Sequence, residues 1–162
     1  KKMELPPLEL LTDKKVIFII NVSEKQLAES WQPDEEMLKI MNGRDYVTLS
    51  TPLEMVLSEL GEPTPGLDSL IKTAYKTLDL ITFLTTGEDE TRAWTATKGD
   101  LIPKASRAIH TDFEKMFIRA EVINWKTLLE TDGWTAAKSK GLIKTVGKDY
   151  IVKDGDVVEI KI

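Results

Sequence analysis

Near residue 80 the spacing of hydrophobic positions changes from long runs and helical stripes to short alternating strands. Upstream, residues 15–22 read Lys-Val-Ile-Phe-Ile-Ile-Asn-Val, a β-branched run without polar alternation. A run apolar on both faces predicts a strand fully buried in a parallel sheet. Residues 46–50, Tyr-Val-Thr-Leu-Ser, predict a second, shorter strand. Between the two, residues 33–41 have helical spacing. Met37, Ile40 and Met41 share a face behind an acidic first turn of Asp34, Glu35 and Glu36, which suits the helix dipole better than an acid–base pair. Pro52 opens a further helix, with Leu53, Val56, Leu57 and Leu60 apolar. Residues 61–66, Gly-Glu-Pro-Thr-Pro-Gly, are the strongest breaker cluster and read as a linker. Residues 67–80 predict a helix with Leu67, Leu70, Ile71, Ala74, Tyr75 and Leu78 on its inner side.

Strand, helix, strand, helix is how a doubly wound α/β fold ends. A buried parallel strand needs several neighbours, and residues 1–79 offer one more. The expectation is an incomplete α/β domain whose remaining strands lie upstream. The polar, Pro-interrupted opening at residues 1–15, with no start codon at Lys1, fits a piece of a longer protein.

Downstream, residues 80–86 and 91–97 predict a hairpin that turns at Gly87-Glu-Asp. Pro103 starts a short helix carrying Ala105, Ala108 and Ile109, residues 117–125 predict a strand, and Leu128 and Leu129 mark a helical turn. The chain closes with two strands around Asp154-Gly155, in which Val158, Ile160 and Ile162 alternate with Glu159 and Lys161. Hairpin, helix, strand and closing hairpin form a β-grasp order, and residues 80–162 are expected to fold by themselves.

Composition adds few constraints. At 41% hydrophobic and 30% charged the chain is ordinary for a globular protein, and its longest apolar run is too short to span a membrane. Without cysteine there are no disulfides or thiolate metal sites, which suits a cytoplasmic location. The net charge of −5 argues against nucleic-acid binding by bulk charge. All of that excess lies in residues 1–79, with 9 basic against 14 acidic residues, and the remainder is neutral. The second half is therefore the better candidate for meeting a polyanion.

Several motifs point one way. Arg92-Ala-Trp-Thr, Lys98-Gly, Ile109-His-Thr-Asp-Phe-Glu114, Phe117-Ile-Arg-Ala-Glu-Val-Ile123, Gly147-Lys-Asp-Tyr-Ile-Val152 and Asp154-Gly-Asp-Val157 resemble the TGS domain of YchF-type, or Obg-like, ATPases. Leu10-Leu-Thr-Asp-Lys-Lys, then a strand, then Asn21-Val-Ser-Glu24 resembles that family's base-recognition element. The resemblance implies two parts. Residues 1–79 would be an α/β remnant of a P-loop NTPase domain, contributing its C-terminal strands and helices. Residues 80–162 would be an α+β, ubiquitin-like β-grasp TGS domain.

It also implies a nucleotide site. In ordinary GTPases the element reads Asn-Lys-x-Asp, and the Asp accepts two hydrogen bonds from guanine. Here Glu24 stands in the fourth position and Val22 replaces Lys, implying a relaxed or adenine-preferring pocket. Asn21 and the Val22 backbone would hold the base edge, and Leu49-Ser50-Thr51 falls at the second base loop, placing Ser50 in the site. ATP, or GTP, and Mg²⁺ are implied for a full-length enzyme, with the ribosome, RNA or a protein as partner of the TGS domain. The 162 residues contain no Gly-x-x-x-x-Gly-Lys-Ser/Thr loop, so the chain alone is expected to bind nucleotide weakly, hydrolyse none and hold no metal.

Other residues carry simpler readings. Asn21 or Ser23 can cap a helix around residues 26–30. His110, the only histidine, reads as a structural or surface residue. Trp94 is expected in the core and Trp134 in an exposed loop. Arg92, Lys98, Lys104, Arg107, Lys115 and Arg119 form either a phosphate-contacting face or a solvated surface. The alternative function is a stand-alone TGS or β-grasp binding module without hydrolysis, whether from another enzyme context or as a generic interaction domain.

Overall fold

The computed structural model describes residues 14–87 and 90–162. The polar opening, the Leu10-Leu-Thr-Asp13 part of the base-recognition stretch and the Glu88-Asp89 turn lie outside the described residues. The chain separates into two compact units between Leu78 and Asp79.

The first unit runs β1 (Phe18–Asn21), α1 (Glu24–Ala28), α2 (Glu35–Met41), β2 (Tyr46–Leu49), α3 (Thr51–Leu60) and α4 (Pro65–Thr77). β1 and β2 are parallel, in the register Phe18↔Tyr46 to Asn21↔Leu49. The buried strand expected at residues 15–22 is only half buried here, with Ile19 54% exposed. Its physical reason is plain: β2 is its one neighbour among the described residues. The inner side expected for residues 67–80 is also uncovered at Leu67, Ile71 and Leu78.

The cluster at residues 61–66 links two helices within the first unit. Gly61 ends α3 and Pro65 opens α4, so it is a tight helix–helix connection. Glu54 of α3 closes it: its carboxylate accepts from the Gly66 and Leu67 amides at 2.9 and 3.0 Å. These are donors that a helix N-terminus leaves unpaired. The far end of α4 is tied as well. Asp45, before β2, accepts from the Thr77 hydroxyl at 2.9 Å and the Lys76 ammonium at 3.1 Å. Those bonds, Thr77 first, hold its carboxyl below the usual range.

The second unit is a five-stranded mixed sheet, ordered β4 (Thr91–Thr97), β3 (Leu80–Thr86), β7 (Asp156–Lys161), β5 (Arg119–Asn124), β6 (Lys144–Val146). The hairpin β3–β4 forms as expected, in antiparallel register from Leu80↔Thr97 to Thr86↔Thr91. β7 pairs parallel to β3 and antiparallel to β5. One cluster packs Ile81, Phe83, Phe117, Val122 and Val158 with Ile102 and Ala105 of α5 (Ile102–Ser106). A second packs Ile123 and Val157 with Ala137 of α8 (Trp134–Ser139) and Leu128 of α7 (Trp125–Glu130).

The closing hairpin is absent. Residues 148–153 make a single bridge, Ile151 to Leu101, and the Asp154-Gly155 turn docks on β3 instead. Thr82 donates its amide to Asp154 at 2.8 Å and accepts the Gly155 amide at 2.8 Å. Gly155 has φ +79°, and a Cβ there would stand 2.5 Å from the Trp125 ring, so only glycine fits. Trp134 is not in a loop. It opens α8 and packs against the second cluster, half buried. α6 (Thr111–Met116) is a helix that hydrophobic spacing does not announce; His110 caps it, accepting the Asp112 amide at Nδ1. Trp94 is half buried against the first cluster, with the Arg92 guanidinium 4.6 Å over its ring.

Candidate functional site

In parallel α/β sheets ligands bind beyond the carboxyl ends of the strands, where loops lead into helices. β1 and β2 end level with each other at Asn21 and Leu49. One more bond extends the ladder, from the Val22 amide to the Leu49 carbonyl at 2.9 Å. That bond holds the loop after β1 against the loop after β2, and Val22 is buried there.

Asn21 then reaches across. Its Oδ1 accepts from the Thr51 amide and the Thr51 hydroxyl, each at 3.0 Å. Thr51 is the first residue of α3, so Asn21 caps that helix from another strand. With Oδ1 committed as an acceptor, the carboxamide has its Nδ2 donors left for something else.

Ser50 lies between Leu49 and Thr51 at 0% exposure, and its Oγ has no hydrogen-bond partner. It occupies the N-cap position of α3 without making the cap bond. A buried hydroxyl is ordinarily bonded, and this one lies at the carboxyl end of the parallel strand pair without a partner among the described residues.

Ser23 and Glu24 face a different task. The Ser23 Oγ accepts from the Gln26 amide, and the Gln26 Oε1 accepts from the Ser23 amide at 3.0 Å, a capping box on α1. Glu24 sits exposed in the first turn of that helix. The fold therefore sets Asn21, Val22 and Ser50 at the adjoining ends of β1 and β2, through bonds to Thr51 and Leu49, and brings Glu24 only to the adjoining helix start. Thr51 is the participant that residue types alone under-rated. Its signal was the Ser-Thr-Pro start of α3, where a capping partner was due. An open apolar groove runs alongside, lined by Ile19, Leu49, Thr51, Glu54, Met55 and Leu67.

Elsewhere, two of the six basic candidates are neutralised: Lys104 pairs with Asp100 at 2.7 Å and Arg107 with Glu114 at 3.8 Å. Among the described residues no group of His, Cys, Asp or Glu is placed to hold a metal, and no helix is long and apolar enough to cross a membrane.

The parallel strand pair with its helices and the five-stranded mixed sheet make this an α/β chain. Its structure is similar to that of the Schizosaccharomyces pombe YchF GTPase, with a TM-score of 0.74 and 32% identity, covering 94% of this chain and 44% of that one. The YchF GTPase C-terminal family model, described as "Protein of unknown function (DUF933)", matches residues 80–162. Over 95% of its length the chain is 37% identical to the Ribosome-binding ATPase YchF of Bacillus subtilis, covering 46% of that protein. Over 93% it is 37% identical to Obg-like ATPase 1 of Caenorhabditis elegans, covering 42%. The chain belongs to the YchF/Obg-like ATPase family. It spans about half the length of the curated relatives it matches.

Proposed function

We propose that this chain is the C-terminal portion of a cytoplasmic, ribosome-binding, Obg-like ATPase. Residues 1–79 complete its nucleotide domain, and residues 80–162 form a β-grasp TGS domain that meets RNA, the ribosome or a protein. Within the second unit the strand order, counted from its own first strand, is 2-1-5-3-4 with strands 1 and 5 parallel. That order supports the β-grasp assignment. The names of the relatives support ribosome binding.

The nucleotide reading is carried by one observation: the orphaned Ser50 hydroxyl beside the Asn21–Thr51 bond, at the carboxyl ends of parallel strands. In this reading the Asn21 Nδ2, the loop after Val22 and Ser50 hold the base edge, and Glu24 approaches it from α1. The bound nucleotide supplies the phosphoanhydride, and with Mg²⁺ it is handled by residues other than these. A Gly-x-x-x-x-Gly-Lys-Ser/Thr loop would come from the upstream part of the protein.

Ser50→Ala in the full-length protein separates a ligand-binding hydroxyl from a packing one. Deleting an unsatisfied buried hydroxyl is neutral or stabilising. Thermal stability should hold or rise while affinity for a fluorescent ATP analogue falls about three- to tenfold. Unchanged affinity would remove Ser50, and with it the observation on which the site rests.

A further inference from the structure

The stretch between Asp132 and Asp149 is the longest in the chain without an acidic residue. Its sixteen residues carry Lys138, Lys140, Lys144 and Lys148. In a chain of net charge −5 such a local excess is not set by bulk composition. The fold carries this stretch from α8, packed on the sheet through Ala137, out to the edge strand β6. α8 ends at Ser139, Lys140 follows as its C-cap, the chain turns through Gly141, and β6 joins the sheet as an edge strand paired only with β5. Lys148 follows in the turn beyond β6, and Lys140, Lys144 and Lys148 are all exposed.

Lys138 is neutralised, donating to both Glu121 oxygens at 3.0 Å. That pairing, with Lys138 as the largest cause, holds the Glu121 carboxyl below its ordinary range. Among the described residues, the other three lysines have no carboxylate within ion-pair distance. A lysine on an edge strand guards against strand-to-strand association, and Lys144 serves that end by itself. Lys140 and Lys148 lie outside the strand and guard no backbone edge. Apart from Leu142, the exposed residues here are Lys, Ser, Gly and Thr. Such a surface lacks the aromatic and Arg anchors that centre protein–protein interfaces.

We propose that Lys140, Lys144 and Lys148 form a phosphate-contacting ridge through which the second unit docks on RNA. The proposal rests on the ribosome-binding reading and adds the face and its chemistry. Ammonium groups meet backbone phosphates as point charges, without base readout. Of the six basic residues Arg92, Lys98, Lys104, Arg107, Lys115 and Arg119, two already meet a carboxylate, Lys104 with Asp100 and Arg107 with Glu114.

The test uses the 162-residue chain and a fluorescein-labelled single-stranded uridine RNA of about 20 nucleotides, titrated from about 50 to 200 mM KCl. The triple variant Lys140→Gln, Lys144→Gln, Lys148→Gln should bind at least about tenfold more weakly, with a log–log salt slope shallower by about 2. The matching Lys→Arg triple should retain slope and affinity. A control triple of equal charge loss, Lys98→Gln, Lys115→Gln, Lys153→Gln, should leave the slope unchanged. Equal losses in both Gln triples, or no loss in the ridge triple, overturn the proposal. So does polyglutamate binding the chain as tightly as RNA with the same dependence on the ridge, which would make it a protein-docking face. Co-sedimentation of the full-length protein with ribosomes separates the two readings. Failure of the unmodified protein to sediment refutes ribosome binding, while the RNA titration still decides the ridge. Undiminished sedimentation of the ridge triple overturns the ridge alone.

Discussion

The side-chain oxygen of Asn21 stands 3.0 Å from both the amide nitrogen and the hydroxyl of Thr51, thirty residues further along the chain. One acceptor thus ties the end of β1 to the start of α3 and orients the whole carboxamide. Asn21→Asp tests what the other half of that group does. An aspartate still accepts both bonds, and its charge at a helix N-terminus is favourable. Thermal melts of the full-length protein should show stability retained, or raised by up to about 0.5 kcal/mol. Nucleotide affinity, measured by titration, should fall at least about tenfold, since the Nδ2 donor is gone. A variant that binds as tightly as the parent would make Asn21 a helix cap and nothing more.

How much of this was legible in the sequence varies with how local the cause is. β3 and β4 have the bounds that alternation predicts, because both strands carry their own period and meet in a hairpin. α6, α8 and β6 are not legible in the spacing, for the opposite reason. They are three to six residues long and rest on His110, Gly133 and the neighbouring strand rather than on periodic spacing. The breaker cluster at residues 61–66 reads only as a linker because the Glu54 carboxylate that closes it comes from twelve residues away. In the site, Asn21, Val22 and Ser50 were named by resemblance, but the orphaned state of the Ser50 hydroxyl depends on packing that no motif states.

Glu54 is expected to matter more for stability than an exposed helix carboxylate usually does. It satisfies two amides at the N-terminus of α4. Glu54→Ala should cost about 0.5–2 kcal/mol in chemical denaturation of the full-length protein. Gly66→Ala should also destabilise, since a Cβ there would meet the Leu49 Cβ at 2.7 Å and the Glu54 Oε1 at 2.6 Å. The carboxylate can swing away but the strand cannot, and about 1–3 kcal/mol is expected for such overpacking. Wild-type stability in both variants would mean that α4 is held by its far end alone.

Tyr150 donates its hydroxyl to the buried Asp156 at 2.8 Å, and Asp156 also accepts the Lys153 amide at 2.9 Å. Burial first, then the bond to Asp156, raises the phenol well above the ordinary tyrosine range. The raised value means the folded state retains its proton longer than the unfolded one. The stabilisation is complete below about pH 10, where an unfolded tyrosine titrates, and is lost as the pH rises through the folded value. Absorbance at alkaline pH should therefore show a late tyrosinate step that coincides with unfolding. Tyr150→Phe should abolish that step and cost about 1–3 kcal/mol at neutral pH. A late step that survives in the variant would place it on another tyrosine.

The second unit should fold when expressed alone, and the first should not. Phe83, Phe117 and Ala120 are closed off within the five-stranded sheet and its helices. The first unit has a two-stranded sheet and leaves Ile19 on it, and Ile40, Val56, Leu60 and Ile71 on its helices, largely open to water. Two strands are marginal without further partners. Amide exchange on residues 79–162 and on residues 1–78 decides it: protection confined to the shorter-sheeted piece would reverse the assignment.

Base selection is the sharpest claim that the site allows, and it turns on one methylene. In the proposed reading Glu24 stands where guanine-specific sites carry Asp, and it projects from the first turn of α1, held by the Ser23–Gln26 capping box. Neither Ser23 nor Gln26 is altered by Glu24→Asp, so the helix start is kept while the carboxylate is drawn back. Restoring the accompanying lysine is a poorer experiment, because Val22 is only 7% exposed and an ammonium there would have to be buried or force the loop open. The single change should move preference from ATP towards GTP, since a shorter carboxylate suits guanine's two donors and opposes the ring acceptor of adenine. One such pair of bonds corresponds to about 1–3 kcal/mol, or roughly tenfold to a hundredfold in the ratio of affinities. Competition between the two nucleotides for the full-length protein and the variant gives that ratio directly. If it does not move while Asn21→Asp and Ser50→Ala both weaken binding, the base lies against the two strand ends without reaching α1, and Glu24 leaves the site.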